Sequence, residues 1–394
     1  MKPAIILSGG AEIISVSVAQ ELIENKVNIA IFSLVKNSVL RGVNYLAYEE
    51  CVWPPKDHQE SIDKLLNFAK KIGATQDNKL PIIATEDGGL RFLYENSSVF
   101  NEYLCFGGAR ALNYGGLDKS ELFDNIKDID ISVPTISISK IEDVENAINK
   151  FNRNCIIKPA LKPLSMNLRG MQSKAIEVSP HNLTSKIISN LKICWSLSDK
   201  WVVQPKLDTP VSGEYDVWFV RDTNNSLIAL TATEKWKQPK IGGTGCWVVS
   251  LGKVEDDLLK KISLLLEKLD FVGAGEIPFL INESGEFKLI EINARPWLQV
   301  ELAKYSGIPI IYSHYCALIE QEMPKNKKIA ENISWVNFER IFMAALSGEY
   351  GSRVFALYQA VKATLSADVI AVWSSSLPKV KFYWILKLLS KIKK

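Results

Sequence analysis

Apolar positions along this chain alternate between short unbroken runs and longer stretches at helical spacing, the pattern of an α/β protein. Residues 3–8 (PAIILS) read as a buried strand, Gly9-Gly10 open an amphipathic helix to about Lys26, and Ile29 to Leu34 form a second strand. Such a β-α-β opening predicts a parallel sheet with a right-handed crossover. The Gly pair could admit an anion at the helix N-terminus; with no GxGxxG or Walker sequence, a tight turn is the simpler reading. Pro81 to Thr85 (PIIAT) is another strand, followed by Glu86-Asp87-Gly88-Gly89. These acids stand where open α/β sheets hold ligands, and they could equally cap the helix beginning near Leu90.

Around Leu117 the pattern changes. Asp118-Lys119-Ser120 starts a helix to about Ile126, and Val133-Pro134-Thr135 leads into a new strand. Two further apolar strands end in lysine-proline or proline-lysine pairs, Cys155 to Pro159 with Lys158 and Trp201 to Leu207 with Pro205-Lys206. Asp256 to Leu269 is an amphipathic helix. It leads into a hairpin in which Ile277 to Ile281 meets the turn Asn282-Glu283-Ser284-Gly285 and a second run, Phe287 to Ile292. Strict alternation places Phe287, Leu289, Glu291 and Asn293 on one face of that second strand, with Ile290 and Ile292 on the other.

The 394 residues suffice for two or three domains, and 47% hydrophobic with 23% charged residues is ordinary for a globular protein. A net charge of +3, with no basic-aromatic motif, gives no basis for nucleic-acid binding. Six scattered cysteines without paired spacing predict reduced, mostly buried thiols in a cytoplasmic protein. His58, His181 and His314 are isolated, which argues against a histidine metal cluster or a Ser-His triad. The N-terminus reads directly as a strand rather than as a signal peptide, and no apolar run is long enough to span a membrane.

The chemistry gathers at Glu291-x-Asn293-x-Arg295. A carboxylate and an amide at the end of an apolar strand call for a cation, and hard cations such as Mg²⁺ take oxygen ligands. Arg295 is available for an anionic group. A structural ion pair ending the strand is the competing reading.

LIEINARPW resembles the metal-binding strand of the ATP-grasp superfamily, of the carboxylate–amine ligase type that includes D-aspartate ligase. The resemblance runs over roughly residues 1 to 320 and implies a fold: α/β, an N-terminal parallel-sheet (Rossmann-like) domain over 1–117 followed by a two-part ATP-grasp α+β fold. The small subdomain or lid would span 118–200, the large subdomain with the metal site 201–320, and a helical extension 321–394. It further implies ATP with Mg²⁺ (Mn²⁺ as an alternative), metal ligands Glu291 and Asn293, and a catalytic Arg295. Lys119 and Lys158 match the nucleotide lysines, Gln204, Pro205, Lys206 and Leu207 the adenine hinge, and Glu214 the acid beside it. Lys235 and Lys237 lie in the basic glycine segment EKWKQPKIGGTG, whose Gln238-Pro239 and Gly242-Gly243 match the ligase pattern, Lys235 as a nucleotide contact and Lys237 as a catalytic cation. The stretch Lys162 to Lys174 matches a phosphate-covering loop, to which Ser165, Arg169 and Gly170 are suited.

One departure stands out. The family carries an acid before Phe on the first hairpin strand, where this chain has Pro278; Glu276, two residues earlier on the same face, is the expected replacement.

The implied activity is an ATP-dependent ligase joining a small-molecule carboxylate to an amine through an acyl phosphate. A cell-envelope or surface-polymer precursor is one candidate substrate class. Alternatives are an ATP-binding protein with degenerate catalysis and a carboxylase resembling biotin carboxylase. A homodimer is compatible with the chain. The C-terminal PKVKFYWILKLLSKIKK places Trp384, Ile385, Leu388, Leu389 and Ile392 on one helical stripe and Lys387, Lys391 and Lys394 on another. That segment could lie peripherally on the inner membrane face or dock on the protein's own body.

Overall fold

A computed structural model describes residues 1–51, 58–162, 175–180, 185–195, 198–207, 215–237, 244–325 and 328–392. The opening strand β1 (Ala4–Ser8) is wholly buried and leads into α1 (Glu12–Glu24), β2 (Ile29–Ser33), a 3-10 turn at Val39–Gly42 and β3 (Tyr48–Glu50). After α2 (His58–Lys71) come β4 (Leu80–Ala84), α3 (Asp87–Glu95), α4 (Ser97–Phe100) and β5 (Leu104–Cys105). The sheet order β3-β2-β1-β4-β5 is parallel throughout, so continuous apolar strands covered on both faces are what the sequence must supply. The two-residue strand β6 (Gly108–Ala109) leaves this sheet and pairs with the large one.

After α5 (Lys119–Ile126), β7 (Ile136–Ile138), α6 (Asp143–Phe151), β8 (Cys155–Pro159), β9 (Ile176–Val178), α7 (Ser185–Trp195) and β10 (Trp201–Pro205) follow. Their sheet, β7-β10-β8-β9, is antiparallel and has its own small core around Ile148, Ile157, Leu191 and Trp201.

The large sheet comprises β11 (Tyr215–Arg221), β12 (Leu227–Lys237), β13 (Gly245–Gly252), β14 (Phe271–Ile281) and β15 (Phe287–Leu289), with α8 (Asp256–Lys268) inserted. Its order is β15-β14-β11-β12-β13, continued at the β13 edge by two short strands, β16 (Ser334–Val336) and β17 (Val369–Ile370). The helices α9 (Glu301–Tyr305) and α10 (Ile310–Leu318) cover it on the side of the N-terminal sheet, in one shared core with Ile6, Leu22, Trp218 and Trp297. His314 on α10 is a packing group. It accepts a hydrogen bond from the Ala274 N–H at 2.6 Å, and burial pushes its pKa down to about 4. Gly273, at φ +98°, leaves room for it, since a Cβ there would stand 2.4 Å from the imidazole.

The segment 321–394 is not helical throughout. It returns β16 (Ser334–Val336) and β17 (Val369–Ile370) to the edge of the large sheet, flanking α11 (Phe338–Ser347) and α12 (Arg353–Leu365). The last helix, α13 (Pro378–Ile392), lies against the Val39–Gly42 turn. There Gly42 meets the backbone of Lys379 and Val380, Val380 and Trp384 are buried, and Lys387 pairs with the buried Glu12. The two stripes read from the sequence are therefore redistributed. Lys387 faces the protein because Glu12 needs a counter-charge, while Ile385 and Leu389 face outward. No helix among the described residues is long and apolar enough to cross a membrane, and the six cysteines are free.

Candidate active site

The site is built on one end of the large sheet. Trp218 on β11 stands opposite Glu276 on β14, and Asp216 opposite both Pro278 and Ala232 of β12. Alternation then puts Asp216, Trp218, Glu234 and Glu276 on one face, all buried. The Glu276 carboxylate accepts the Trp218 indole N–H at 3.0 Å and the Asn293 amide at 2.8 Å. Burial, followed by the charge of Glu234, pushes its pKa up to about 8 against the pull of those hydrogen bonds. Glu234 is held by the Gly245 N–H at 2.6 Å and by Lys237 at 3.1 Å.

The second hairpin strand departs from simple alternation. Phe279 pairs with Leu289 and the Ile290 N–H reaches Pro278 O, but Glu276 then pairs with Asn293 through both backbone hydrogen bonds. One extra residue is accommodated between these pairs, which is a β-bulge. It turns Asn293 onto the Glu276 face while Leu289 and Ile292 share the apolar core behind. The expected common face for Leu289, Glu291 and Asn293 is corrected accordingly; the bulge, not the alternation, brings Asn293 to Glu276.

Arg295 follows the bulge and ties the sheets together. Its Nε donates to Asp87 at 2.6 Å, its Nη2 lies 3.5 Å from the Asn293 side-chain Oδ1, and Asp87 also takes Lys162 at 2.9 Å. One carboxylate from the N-terminal sheet thus joins a lysine just beyond β8 to the arginine of the large sheet. Burial disfavours the Asp87 charge, yet Arg295 and Lys162 outweigh it and hold the carboxyl well below the usual range. Glu86 turns the other way and accepts the Gly10 N–H at 2.8 Å; a Cβ at Gly9 would collide with it at 1.7 Å. Neither acid caps α3 through its side chain, so the capping reading fails.

Lys119 is the first residue of α5, whose cap is Asp118 accepting from the Ser120 and Glu121 N–H groups. Its ammonium lies 3.2 Å from Glu291. Lys158 on β8 extends to the Ile290 carbonyl at 3.5 Å. Lys119, Lys158, Glu276, Glu291, Asn293 and Arg295 thus come together, although they span much of the chain. The hinge residues sit on the neighbouring strand β10. Gln204 is buried and donates to Thr135 at 2.8 Å, and Pro205 pairs with Cys155. The Lys206 N–H is used by Asn154 O at 2.7 Å and its ammonium by Glu177 at 2.7 Å, so its carbonyl is what it could offer a base edge. Leu207 lines a cavity of about 510 Å³ with Val133, Pro134 and Lys288. Lys235 is exposed. Glu214, Ser165, Arg169, Gly170, Gln238-Pro239 and Gly242-Gly243 lie outside the described residues.

Tyr350 is an addition that sequence reasoning did not bring to the site, whereas Asp87 stood in the sequence between a ligand-side and a capping reading. The Tyr350 hydroxyl accepts the Lys237 N–H at 2.7 Å and donates to the Lys237 carbonyl at 2.9 Å, and its ring stacks on Trp236 at 4.5 Å. The last part of the chain therefore steadies the strand that presents Lys237.

Among the described residues no three His, Cys, Asp or Glu side chains converge tightly enough to hold a metal by themselves. The donors present are all oxygens, from Glu276, Glu291 and Asn293. Glu276 is a carboxyl that a divalent cation would return to its anionic form. Two carboxylates and one amide, all oxygen donors, suit Mg²⁺, so the residues fit that ion.

A family model described as carbamoyl-phosphate synthase L chain, ATP binding domain, matches residues 118–317. The chain belongs to this ATP-grasp family. Solved structures extend the likeness beyond the matched residues. An N5-carboxyaminoimidazole ribonucleotide synthetase bound to ADP superposes with a TM-score of 0.64 at 12% identity, over 93% of this chain and 97% of that one. The biotin carboxylase domain dimer of the Hydrogenobacter thermophilus 2-oxoglutarate carboxylase, holding MgADP, ADP and bicarbonate, gives 0.64 at 12% identity over 84% and 73%. An L-amino acid ligase from Bacillus licheniformis gives 0.57 at 13% over 83% and 75%. At these identities the shared property is the ATP-grasp fold with its Rossmann-like N-terminal sheet. No curated protein sequence matches this chain.

Proposed function

We propose that this ATP-grasp protein is a ligase that activates a small carboxylate with ATP and passes the acyl group to an amine, in the cytoplasm where ATP is supplied. The observation that carries the reading is the junction of Arg295 with Asp87, Lys162 and Asn293, beside Glu276 and the Lys119–Glu291 pair. Cations from α5, the small sheet and the end of the large sheet meet carboxylate and amide oxygens here, as phosphoryl transfer needs. A carboxylate oxygen attacks the γ-phosphorus in line and ADP leaves, giving an acyl phosphate. The amine then attacks the acyl carbon, the C–O bond breaks, phosphate departs and the amine loses a proton.

In this reading Lys119 and Lys158 hold the nucleotide phosphates and Arg295 steadies the transferred group. Lys237, kept in place by Glu234 and Tyr350, faces the acyl phosphate. Glu276, Glu291 and Asn293 would hold Mg²⁺, with Mn²⁺ as a substitute; when bound, that ion supplies charge neutralisation at the phosphates. The Gln204–Leu207 strand end and Glu214 would receive the nucleoside, with Lys235 at its edge. The domain limits 1–117, 118–200, 201–320 and 321–394 follow the same reading, with the 118–200 segment as the moving lid that excludes water.

Lys158→Ala is expected to weaken nucleotide binding about tenfold or more, the usual cost of a charge-assisted hydrogen bond. The thermal stabilisation given by Mg-ATP should shrink correspondingly. An unchanged shift would make Lys158 a strand-end lysine with no nucleotide role. The substrate class is tested by screening ADP release from Mg-ATP with pooled amino acids, short peptides, uronic acids and amines; release that needs both an acid and an amine is expected.

A second reading is favoured by the bicarbonate-bound carboxylase neighbour, with bicarbonate as the activated acid. ADP release that depends on bicarbonate and on no other acid would select it. A nucleotide-binding protein without turnover is the reading that Pro278 favours; it predicts Mg-ATP stabilisation with no ADP release under any mixture.

A further inference from the structure

Two helices of the C-terminal segment carry their large apolar side chains outward. On α12 the inner stripe is Ala356, Ala360 and Ala363, packed near Ala344 and Ala345 of α11. Its outer stripe, Val354, Tyr358, Val361 and Leu365, is exposed at helical spacing, with Leu365 84% exposed. On α13 Val380, Trp384 and Leu388 pack inward, and Phe382, Ile385, Leu386 and Leu389 form a second exposed stripe. The Trp384 indole donates to Glu339 at the start of α11 at 2.7 Å, joining the two helical units. Isolated exposed apolar residues need no explanation, but two full stripes on helices that are both joined to α11 do.

Charge identifies what covers them. Between Arg353 and Lys394 there are eight basic residues and one acid, a net of +7 in a chain whose total is +3. The remainder of the chain is thus net acidic, although Lys387 is turned inward onto Glu12. Lys362 adjoins Val361 on α12, and Lys379 and Lys381 open α13. A second copy of this chain is a poor occupant, because a two-fold interface would set the same basic surface against itself. Large apolar residues flanked by lysines suit an anionic lipid surface instead.

We propose that the α12 and α13 faces dock this protein on an anionic membrane surface. The stripes enter the acyl boundary while α13 remains latched to the body through Val380, Trp384 and the Lys387–Glu12 pair. Removing α13 would uncover Glu12 and the Val39–Gly42 turn, so truncation is a poor test and surface substitutions are the better one.

The test is sedimentation of the full chain with phosphatidylcholine vesicles and with vesicles doped with phosphatidylglycerol. Y358E/V361E and L386E/L389E are compared as variants, and circular dichroism confirms their folding. Partitioning onto the anionic vesicles alone, falling as salt rises, is expected. It should drop to background in either variant and fall about fivefold for each of Lys362, Lys379 and Lys381 changed to Gln. No partitioning, equal partitioning onto neutral vesicles, or a dimer dissociated by the same variants would overturn the proposal, the last assigning the stripes to a second copy. ADP release in solution is read separately, so loss of vesicle binding with retained turnover leaves the ligase reading untouched.

Discussion

Glu291→Gln is expected to lower turnover by roughly 100-fold or more while leaving the protein folded. The change keeps size and removes charge from a carboxylate that faces Lys119 at 3.2 Å and adds to the charge around Arg295. The Glu291 side chain is 36% exposed, so its pair with Lys119 contributes at most about 1 kcal/mol to folding. A large loss of rate with an almost unchanged melting temperature therefore separates a functional carboxylate from a structural one. Steady-state ADP release measures the first and calorimetry the second. Near-normal turnover would return Glu291 to the structural ion pair that the sequence also allowed.

Glu276→Gln should split stability from function. A carboxyl whose pKa rises on folding, here to about 8 through burial and the nearby Glu234, contributes stability that is complete below its ordinary pKa near 4.5 and is lost as pH climbs towards 8. The metal-free wild-type protein should therefore lose stability across that window. The glutamine variant, with no proton to lose at this position, should lose less over the same window, in which Glu21 and Glu301 also titrate in both proteins, and be the more stable of the two at pH 8. Glutamine keeps an acceptor for the Trp218 indole, so the fold is expected to persist. In activity the order reverses. If Glu276 replaces the acid absent at Pro278, the variant should need far more Mg²⁺ for half-maximal rate, about tenfold or above for a lost ligand charge. Melting curves from pH 5 to 8, with and without Mg²⁺, measure the first effect. Parallel curves for both proteins would remove Glu276 from the titrating centre, and an unaltered Mg²⁺ requirement would leave the metal on Glu291 and Asn293.

Much of this architecture was legible in the chain because its signals are local. Continuous apolar runs such as AIILS and IAIFS announce strands buried on both faces, and Asp118 before Lys119 announces a helix start. Glu291, Asn293 and Arg295 were visible because their spacing survives in the primary sequence. The bulge was not, because a two-residue period carries no mark of an extra residue; only the pairing of Glu276 with Asn293 reveals it. Asp87 stood between two readings for a different reason. Its partner Arg295 is 208 positions away, and a capping role satisfies everything its neighbours show. The inward turn of Lys387 likewise depends on Glu12, a buried charge at the far end of the chain. Helical spacing defines two faces of α13 but cannot say which one the body will cover.

The ligase account rests on an acyl phosphate, and the fate of the carboxylate oxygen tests it directly. The acid identified by the ADP screen is prepared with heavy oxygen in its carboxylate and allowed to react with Mg-ATP and the amine. Attack of that carboxylate on the γ-phosphorus, followed by C–O cleavage, predicts one heavy oxygen in each inorganic phosphate released, with ADP as the only nucleotide product. Mass spectrometry of the phosphate reads the label. Phosphate without label, or AMP and pyrophosphate in place of ADP, would contradict the account.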